Sequence, residues 1–186
     1  MSAGQRSRRA WGWHPLTDSW AARIVADAGI RRGDLVLDIG AGTGALTGPL
    51  LATGARVIAI ELHPGRAAHL RERFAGRSLS VVEADAATLR LPGRPFHVVA
   101  NPPYHLTSTL LRALFAPNSR LIGADLVLQR QAVRRFVERR APGKRRWDLS
   151  FGRPLPRHAF RPPPQVDSAV LVIRTRGGLK AFPPNT

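Results

Sequence analysis

Short apolar runs alternate with amphipathic stretches along most of the chain, and each run ends at a polar residue, a glycine or a proline. Continuous apolar runs are typical of strands that are buried on both faces of a parallel sheet. They predict five strands, at Leu35–Ile39, Arg56–Glu61, Leu79–Glu83, Phe96–Ala100 and residues 123–128. Residues 149–151 and 166–175 predict two more, which we expect to form a hairpin that closes the sheet.

Apolar residues recur at three- and four-residue intervals between these strands, which predicts helices. The expected helices are 18–29, with Thr17 or Asp18 as its cap, a helix opened by the glycines at 40–44 and running through Leu51, and helices 64–74, 105–116 and 130–140. Strands that alternate with helices predict an α/β fold with a doubly wound, Rossmann-like sheet of seven strands. No repeat or composition shift marks a second domain. We expect one domain over residues 11–176, a flexible basic arm over 1–10 and a short tail over 177–186.

The charge of the chain points to a polyanionic partner. Its 186 residues include 29 Lys and Arg against 12 Asp and Glu, a formal net charge of +17, and such an excess is typical of nucleic-acid binding. A GC-rich genome explains the preference for Arg over Lys but not the shortage of acids. The absence of cysteine excludes disulfides and thiolate metal sites. With no apolar stretch of the ~20 residues that a membrane helix needs and no secretion signal, the expected location is the cytoplasm.

The strand at Phe96–Ala100 runs directly into Asn101-Pro102-Pro103-Tyr104. Two prolines without N–H groups form a stiff, extended corner. Such a corner can aim the Asn101 amide and a backbone carbonyl at one flat polar group, with the Tyr104 ring beside it. The exocyclic amine of a nucleobase suits this arrangement, since two acceptors on its N–H bonds turn the lone pair toward an electrophile. The alternative is an ordinary surface turn, which Asn-Pro and Pro-Pro also favour.

A glycine-rich segment follows the first predicted strand, with Gly40, Gly42 and Gly44 at alternate positions. A dinucleotide site has the spacing G-x-G-x-x-G, whereas Thr47 stands three residues after Gly44. The tighter spacing favours a ligand without a pyrophosphate. S-adenosylmethionine is such a ligand, and Asp38 could help to orient its ammonium group.

Two further acids end the second and third predicted strands. Glu61 could accept hydrogen bonds from both ribose hydroxyls of a nucleoside. Asp85 could accept from the adenine amine while the Ala86 N–H binds a ring nitrogen. Any one such acid could be a solvated loop residue, but ligands of open parallel sheets lie over these strand ends. Three acids at successive ends therefore favour a binding site.

These motifs, followed by Phe160-Arg161-Pro162-Pro163-Pro164-Gln165-Val166-Asp167-Ser168, resemble in their order the ribosomal RNA adenine-N6 methyltransferases. This group contains the Erm macrolide-resistance methyltransferases and the dimethyladenosine transferases, and the resemblance covers about residues 12–175. Within the group the chain is most similar to a mycobacterial-type Erm protein. The resemblance implies a class I S-adenosylmethionine-dependent fold and a monomer that methylates N6 of one adenine in the peptidyl transferase region of 23S rRNA. It also implies macrolide-lincosamide-streptogramin resistance.

The resemblance also assigns roles to matching positions. Asn101 and the Pro102 carbonyl would hold the target amine, and Tyr104 and Phe160 would pack on the flipped-out base. Phe160 could equally be a turn anchor before the prolines. The cofactor-binding positions would be His14, Leu16, Asp38, Gly40, Gly42, Gly44, Glu61, Leu62, Asp85, Ala86 and Asn101.

The chain departs from the family near its start, where Trp13-His14-Pro15-Leu16 replaces the usual Gln-Asn-Phe-Leu. His14 therefore stands where the family has an Asn that contacts the cofactor. It could act as a proton acceptor or be structural. No metal and no strong general base are expected in a direct methyl transfer.

The family commonly has a C-terminal helical domain that helps to bind RNA, and we expect it to be absent here. Between residues 130 and 161, eleven basic residues face only Glu138 and Asp148. They could be a solvated face or a track for phosphates, with Trp147 as a stacking platform. The expected RNA-binding residues are Arg6, Arg8, Arg9, Arg130, Arg134, Arg135, Arg139, Arg140, Lys144, Arg145, Arg146 and Trp147.

Three other functions remain compatible with the sequence. The same corner occurs in methyltransferases that act on other amino groups, so the first is methylation of another nucleic acid, either small-subunit rRNA or DNA adenine, and the second is methylation of a protein glutamine. A non-catalytic RNA-binding factor on the same fold is the third possibility.

Overall fold

A computed structural model of the chain describes residues 14–138 and 146–176. Within these ranges, seven strands form one sheet in the order β3-β2-β1-β4-β5-β7-β6. The strands are β1 Leu35–Ile39, β2 Arg56–Glu61, β3 Leu79–Glu83, β4 Phe96–Ala100, β5 Leu121–Gln129, β6 Trp147–Leu155 and β7 Ser168–Thr175. The predicted seven-stranded α/β fold is confirmed.

The first five strands run parallel to one another, while β7 is antiparallel to both β5 and β6. The carboxyl ends of β1 to β5 therefore lie at one edge of the sheet. The pairing of Gln129 with Ser168 places the start of β7 at that same edge. The predicted hairpin of β6 and β7, which closes the sheet, is confirmed. The residues between these two strands therefore lie at the edge that holds the carboxyl ends of β1 to β5.

Helices cover both faces of the sheet. They are α1 Asp18–Ala28, α2 Thr47–Ala52, α3 Pro64–Arg73, α4 Thr107–Leu114 and α5, which begins at Arg130 and is described to Glu138. On one face, Ile24 and Leu50 pack with Val36 and Val127 of the strands. On the other face, Leu110, Leu114 and Val133 pack against the alternate strand residues. None of the helices described is long and apolar enough to cross a membrane.

The structure differs from the predicted elements at several ends. A turn separates the glycines from α2, which begins only at Thr47. Residues Tyr104–Leu106 form a 3₁₀ turn before α4, because the prolines direct the chain outward before a helix can begin. Thr17 occupies the N-cap position of α1, but its side chain makes no capping hydrogen bond. Both β5 and β6 extend beyond their predicted bounds.

Gly44 is required by packing and by backbone conformation. Its φ is +92°, and an added Cβ would lie 2.6 Å from Cε2 of Phe74 and 2.9 Å from Cδ2 of Leu70. The expected role of Gly44 in cofactor binding is therefore not supported by its position, since it contacts the end of α3. Gly29, at the end of α1, has a similar φ of +67°, but an added Cβ would meet nothing within 4 Å.

Gly44→Ala is expected to lower the free energy of unfolding by about 2–4 kcal/mol, the sum of left-handed strain and overpacking against Phe74. Gly29→Ala is the matched control, since it carries only the backbone strain of about 1 kcal/mol. Urea denaturation of both variants measures the difference. Equal losses would show that the Phe74 ring moves aside without cost.

Candidate active site

A cleft of about 850 Å³ opens at the carboxyl edge of the parallel strands. We call it the main cleft. Its walls come from the ends of β1 to β4, the segments that follow them and the first described residue. The lining residues are His14, Gly40, Ile60, Glu61, Leu62, Arg66, Ala84, Asp85, Ala86, Asn101, Pro102, Pro103, Tyr104, His105 and Leu106. The cleft thus brings together most of the residues that the sequence assigned to the cofactor and to the target base.

Glu61 is a buried acid in the wall of the main cleft. Its Oε2 accepts a hydrogen bond of 2.8 Å from the Gly42 N–H, and its Oε1 accepts one of 2.9 Å from the His63 N–H. The Arg66 guanidinium lies 3.4 Å from the same Oε1. Oε2 keeps a second acceptor site, so Glu61 can still accept from a ligand hydroxyl. Gly42 does not line the cleft and acts by fixing this carboxylate.

Asp85, Ala86 and the half-exposed Leu62 lie along the wall formed by the ends of β2 and β3. Asp85 is exposed, and its Oδ1 accepts 2.8 Å from the Ala87 N–H at the start of a 3₁₀ turn. This bond orients the carboxylate and leaves its other oxygen available. An acceptor beside a backbone N–H is the pair of groups that an adenine edge requires.

Gly40 connects the glycine turn to the proline corner, residues 101–104. An added Cβ at Gly40 would lie 3.2 Å from Cδ of Pro103 and 3.6 Å from Cα of Pro102. Only a glycine lets the two backbones approach this closely at a φ of +74°. The bare backbone here and the two carboxylates along the wall fit S-adenosylmethionine, which has a narrow sulfonium centre, ribose hydroxyls and an adenine amine.

Asp38 is placed differently from the expectation. Its side chain is 1% exposed and accepts a hydrogen bond of 2.6 Å from the Thr47 hydroxyl. It borders a smaller cavity of about 290 Å³ that shares Gly40 and Asn101 with the main cleft. Burial raises the pKa of Asp38 from 3.8 to about 7, further raised by the charge of Glu61 and opposed by the Thr47 bond. Asp38 therefore anchors the start of α2, and its approach to a ligand ammonium stays a prediction.

The Asn101 side chain is oriented by a single hydrogen bond. Its Nδ2 donates 2.9 Å to the backbone carbonyl of His14. This bond uses one of the two N–H groups of the amide and fixes the side chain, and the Oδ1 acceptor remains available to a ligand. Asn101 lines both the main cleft and the smaller cavity. This orientation is compatible with the acceptor that the sequence predicts at the corner, whose contact with a target amine stays a prediction.

Two segments distant in sequence hold the carbonyl that Asn101 contacts. Residues 14–17 pair with residues 159–162 through two backbone hydrogen bonds of 2.9 Å. The Thr17 N–H donates to the Ala159 carbonyl, and the Arg161 N–H donates to the Pro15 carbonyl. His14 Nδ1 donates 3.0 Å to the Pro162 carbonyl. We call these two segments the paired strap. His14 therefore lines the main cleft while its ring is engaged by the strap, which supports the structural alternative rather than a free proton acceptor.

Phe160 does not occupy the position that base stacking requires. Its side chain is 1% exposed, lies opposite Leu16 in the strap and packs in the apolar core beside α1. It does not line the main cleft. The stacking assignment is wrong for this conformation, and the alternative of a turn anchor fits the position. Leu16 is likewise buried and borders only the smaller cavity.

Tyr104 lines the main cleft and is fixed by a buried partner. The hydroxyl groups of Tyr104 and Ser168 lie 2.8 Å apart and form a hydrogen bond, and Ser168 is fully buried at the start of β7. Burial raises the pKa of the Tyr104 hydroxyl, partly opposed by the bond to Ser168. The ring is therefore neutral at physiological pH and rigidly held.

The predicted basic track is divided by the structure. Arg130, Arg134 and Arg135 are exposed on α5. Arg146 instead donates to the carbonyls of Pro117 and Ser119 at 3.4 and 3.1 Å. The ring of Trp147 is 2% exposed, packs in the core and has the Arg146 guanidinium 5.2 Å from its centroid. Trp147 as a stacking platform is therefore wrong. The other expected RNA-binding residues lie outside the described ranges: Arg6, Arg8, Arg9, Arg139, Arg140, Lys144 and Arg145.

Sequence reasoning missed three groups that position the site. Ser168 holds Tyr104, Thr47 holds Asp38, and the His14 carbonyl holds Asn101. Ser168 stands within the quoted proline-rich motif, which was a usable signal. The other two pairings carry no sequence pattern. Over residues 14–138 and 146–176, no cluster of His, Asp and Glu could hold a metal ion.

The chain was compared with known proteins. Residues 4–181 match the family described as ribosomal RNA adenine dimethylase. A ribosomal RNA small subunit methyltransferase A of Thermosynechococcus vestitus is 35% identical in an alignment 189 residues long, gaps included. The alignment covers 91% of this chain and 70% of that protein. An rRNA adenine N-6-methyltransferase of Corynebacterium diphtheriae is 34% identical and is matched over 97% of this chain and 73% of its own length.

Solved structures give the same result. The crystal structure of 23S rRNA methyltransferase ErmE superposes with a TM-score of 0.78 at 32% sequence identity. The match covers 87% of this chain and 70% of that one. The likeness therefore extends over the sheet and the cleft at its carboxyl edge.

The raised pKa of Asp38 predicts a pH-dependent contribution to stability. The folded state keeps a proton on this carboxyl between pH 3.8 and about 7 that the unfolded chain releases. The contribution is therefore full below pH 3.8 and is lost as the pH rises through 7. Asp38→Asn removes it, so the wild type should lose on the order of 2 kcal/mol more than the variant between about pH 5 and pH 8. Urea denaturation at both pH values measures this, and an identical pH dependence would contradict the assignment.

Proposed function

Since the chain belongs to the ribosomal RNA adenine dimethylase family, it is an S-adenosylmethionine-dependent rRNA adenine methyltransferase, and we propose that its substrate is one adenine of 23S rRNA, methylated at N6. The orientation of Asn101 supports methylation of an adenine amine, and the likeness to ErmE supports the choice of 23S rRNA. Asn101 Nδ2 is bonded to His14, and Asn101 lines a cleft that also contains the acids expected to bind an adenosyl group.

The residues at the corner bind and orient the target amine in this reaction. Asn101 Oδ1 and the Pro102 carbonyl accept the two N–H bonds of the target amine and so direct its lone pair. Pro102 and Pro103 keep the acceptors fixed, since proline restricts the backbone. When bound, S-adenosylmethionine supplies an electrophilic methyl group on its sulfonium. Positioning accounts for the catalysis, and the half-buried Tyr104, with its raised pKa, is not required as a base.

Tyr104 is the aromatic surface available to a flipped-out base. Its ring lines the main cleft beside Asn101, and the bond to Ser168 holds it in place. A base that stacks on an aromatic ring gains ~1–3 kcal/mol, which helps to offset the cost of leaving its own stack. Because Phe160 is buried, the base would stack on Tyr104 on one face only in the described conformation.

Two rRNAs compete as the substrate. The likeness to ErmE, whose name specifies 23S rRNA, favours the large subunit. The name of the Thermosynechococcus relative favours small-subunit rRNA as the second candidate. The 23S proposal carries a cellular consequence, namely resistance to macrolides, lincosamides and streptogramins, which methylation of small-subunit rRNA does not imply.

Primer extension on rRNA from cells that express the protein distinguishes the two substrates. We expect reverse transcriptase to halt at one adenine in the peptidyl transferase region of 23S rRNA, and not in cells that express Asn101→Ala. A halt in small-subunit rRNA alone would move the substrate to the second candidate. A halt in neither rRNA would reject the proposal.

Paired substitutions at the corner separate its two contributions. Asn101→Asp keeps an acceptor but loses the donor to the His14 carbonyl, so we expect it to lose activity nearly as fully as Asn101→Ala, by at least about 100-fold. Tyr104→Phe keeps the ring and should retain most activity, whereas Tyr104→Ala should not. Single-turnover methyl transfer measures each rate, and calorimetry should show unchanged cofactor affinity for the Tyr104 variants. Full activity of Tyr104→Ala would exclude the stacking role.

A further inference from the structure

A second cleft, of about 760 Å³, lies on the other side of Tyr104, between α4 and α5. We call it the side cleft. Tyr104 lines both clefts, so the two clefts meet at this residue. The bond to the buried Ser168 hydroxyl fixes its side chain. The remaining walls come from the first turn of α4, the last residue of β5 and one face of α5.

The side cleft combines flat apolar walls with hydrogen-bonding groups. Phe136 and Ala132 of α5 supply apolar surface opposite Tyr104, and Ser108 supplies a hydroxyl. At the end of β5, the Gln129 side-chain amide has no hydrogen-bond partner in the part of the chain that the structure describes. An amide offers both donors and an acceptor. These features suit a planar ligand that carries polar groups on its edge.

A cation completes the lining. Arg135 is exposed at the side cleft, and no acid pairs with it among residues 14–138 and 146–176. A planar guanidinium without a partner suits a phosphate, which it can bind with two parallel hydrogen bonds. Together these groups match the parts of a nucleotide. The Phe136 ring suits the face of the base, the Gln129 amide suits its polar edge, and the Arg135 guanidinium suits the phosphate.

The position of the side cleft identifies which nucleotide it takes. A base held at Asn101 has left its stack, so its neighbours in the strand are no longer stacked on it. The nearest neighbour is covalently tied to the target and must lie close to the site. The side cleft begins at the Tyr104 ring, where the target site ends. We propose that the side cleft binds the nucleotide adjacent to the target adenine, with its base against Phe136 and its phosphate at Arg135. This inference rests on the proposed function and adds a sequence-selecting site to it.

Two variants with matched controls test the site. Ala132→Leu fills the side cleft while keeping helix propensity, and Gln131→Leu adds the same side chain at an exposed position one residue away. Arg135→Ala removes the guanidinium, and Arg112→Ala removes an exposed arginine of α4 that lines neither cleft. We expect Ala132→Leu and Arg135→Ala to lower kcat/KM for rRNA by about tenfold, mainly through KM, with unchanged calorimetric affinity for S-adenosylmethionine. The two controls should stay within about twofold of the wild type.

Abasic substrates test the identity of the occupant. In an RNA fragment that the wild type methylates, the base on each side of the target is removed in turn. Removal of the bound base should lower wild-type kcat/KM about tenfold and should cause little further loss with Ala132→Leu, because the variant has already lost that contact. Removal of the other flanking base should affect the wild type and Ala132→Leu equally.

The outcomes separate this inference from the proposed function. If the wild type methylates no RNA, the proposed function fails. If it methylates RNA and both variants behave as their controls, or if losses from the abasic sites and Ala132→Leu are additive, only the side-cleft inference is overturned. Should Ala132→Leu fail to fold, Arg135→Ala and the abasic series on the wild type still decide it.

Discussion

The site depends on one side-chain hydrogen bond, from Asn101 Nδ2 to the His14 carbonyl. An amide has two different ends, and this bond determines that the acceptor end remains for the substrate. The carbonyl itself is held by the pairing of residues 14–17 with 159–162. Three segments separated by more than 50 residues must therefore be folded together before the corner can bind an amine. The geometry of the corner therefore depends on the tertiary structure. The buried Phe160 contributes to the site indirectly, because it belongs to the segment that holds the His14 carbonyl, although it does not line the main cleft.

The acids at the strand ends have different roles: some line the cleft, and others stabilise the backbone around it. Glu61 holds the glycine turn through the Gly42 N–H and still borders the main cleft. Asp38 is buried against Thr47 and holds the start of α2. Asp85 alone of the three is exposed. A deeply buried carboxylate is costly to keep charged, and the pKa of Asp38 near 7 shows that cost. The strand-end pattern thus located the cleft correctly but did not distinguish an acid that faces it from one that supports it.

The sequence predicted the sheet well because a strand buried on both faces requires a continuous apolar run, and β1 and β4 are such runs. Helix ends were less accurate, since the glycine turn postpones α2 to Thr47 and the prolines postpone α4 to Thr107. The aromatic residues were the clearest failures. Both Phe160 and Trp147 could face a base or the core, and their surroundings decide this only once β6 and β7 close the sheet. Contacts such as Tyr104 with Ser168 join residues 64 positions apart and leave no local pattern.

Ion pairs within the fold use part of the positive charge of the chain. Arg153, Arg174 and Arg176 pair with Asp27, Asp125 and Asp148, so these cations are already neutralised within the fold. By contrast, the described arginines of α5 and of the segment after β6 are exposed and have no acidic partner in residues 14–138 and 146–176; they are Arg130, Arg134, Arg135, Arg157 and Arg161. All five lie toward the carboxyl edge of the sheet, where the clefts open. Since attraction between exposed charges fades within about a Debye length, ~8–10 Å at physiological salt, these five would act on phosphates near the clefts under the proposed function, while exposed arginines on other faces, such as Arg71 and Arg94, would act elsewhere. Net charge alone therefore predicts an affinity for a polyanion such as RNA, and the bound strand is located by the corner and the clefts rather than by charge.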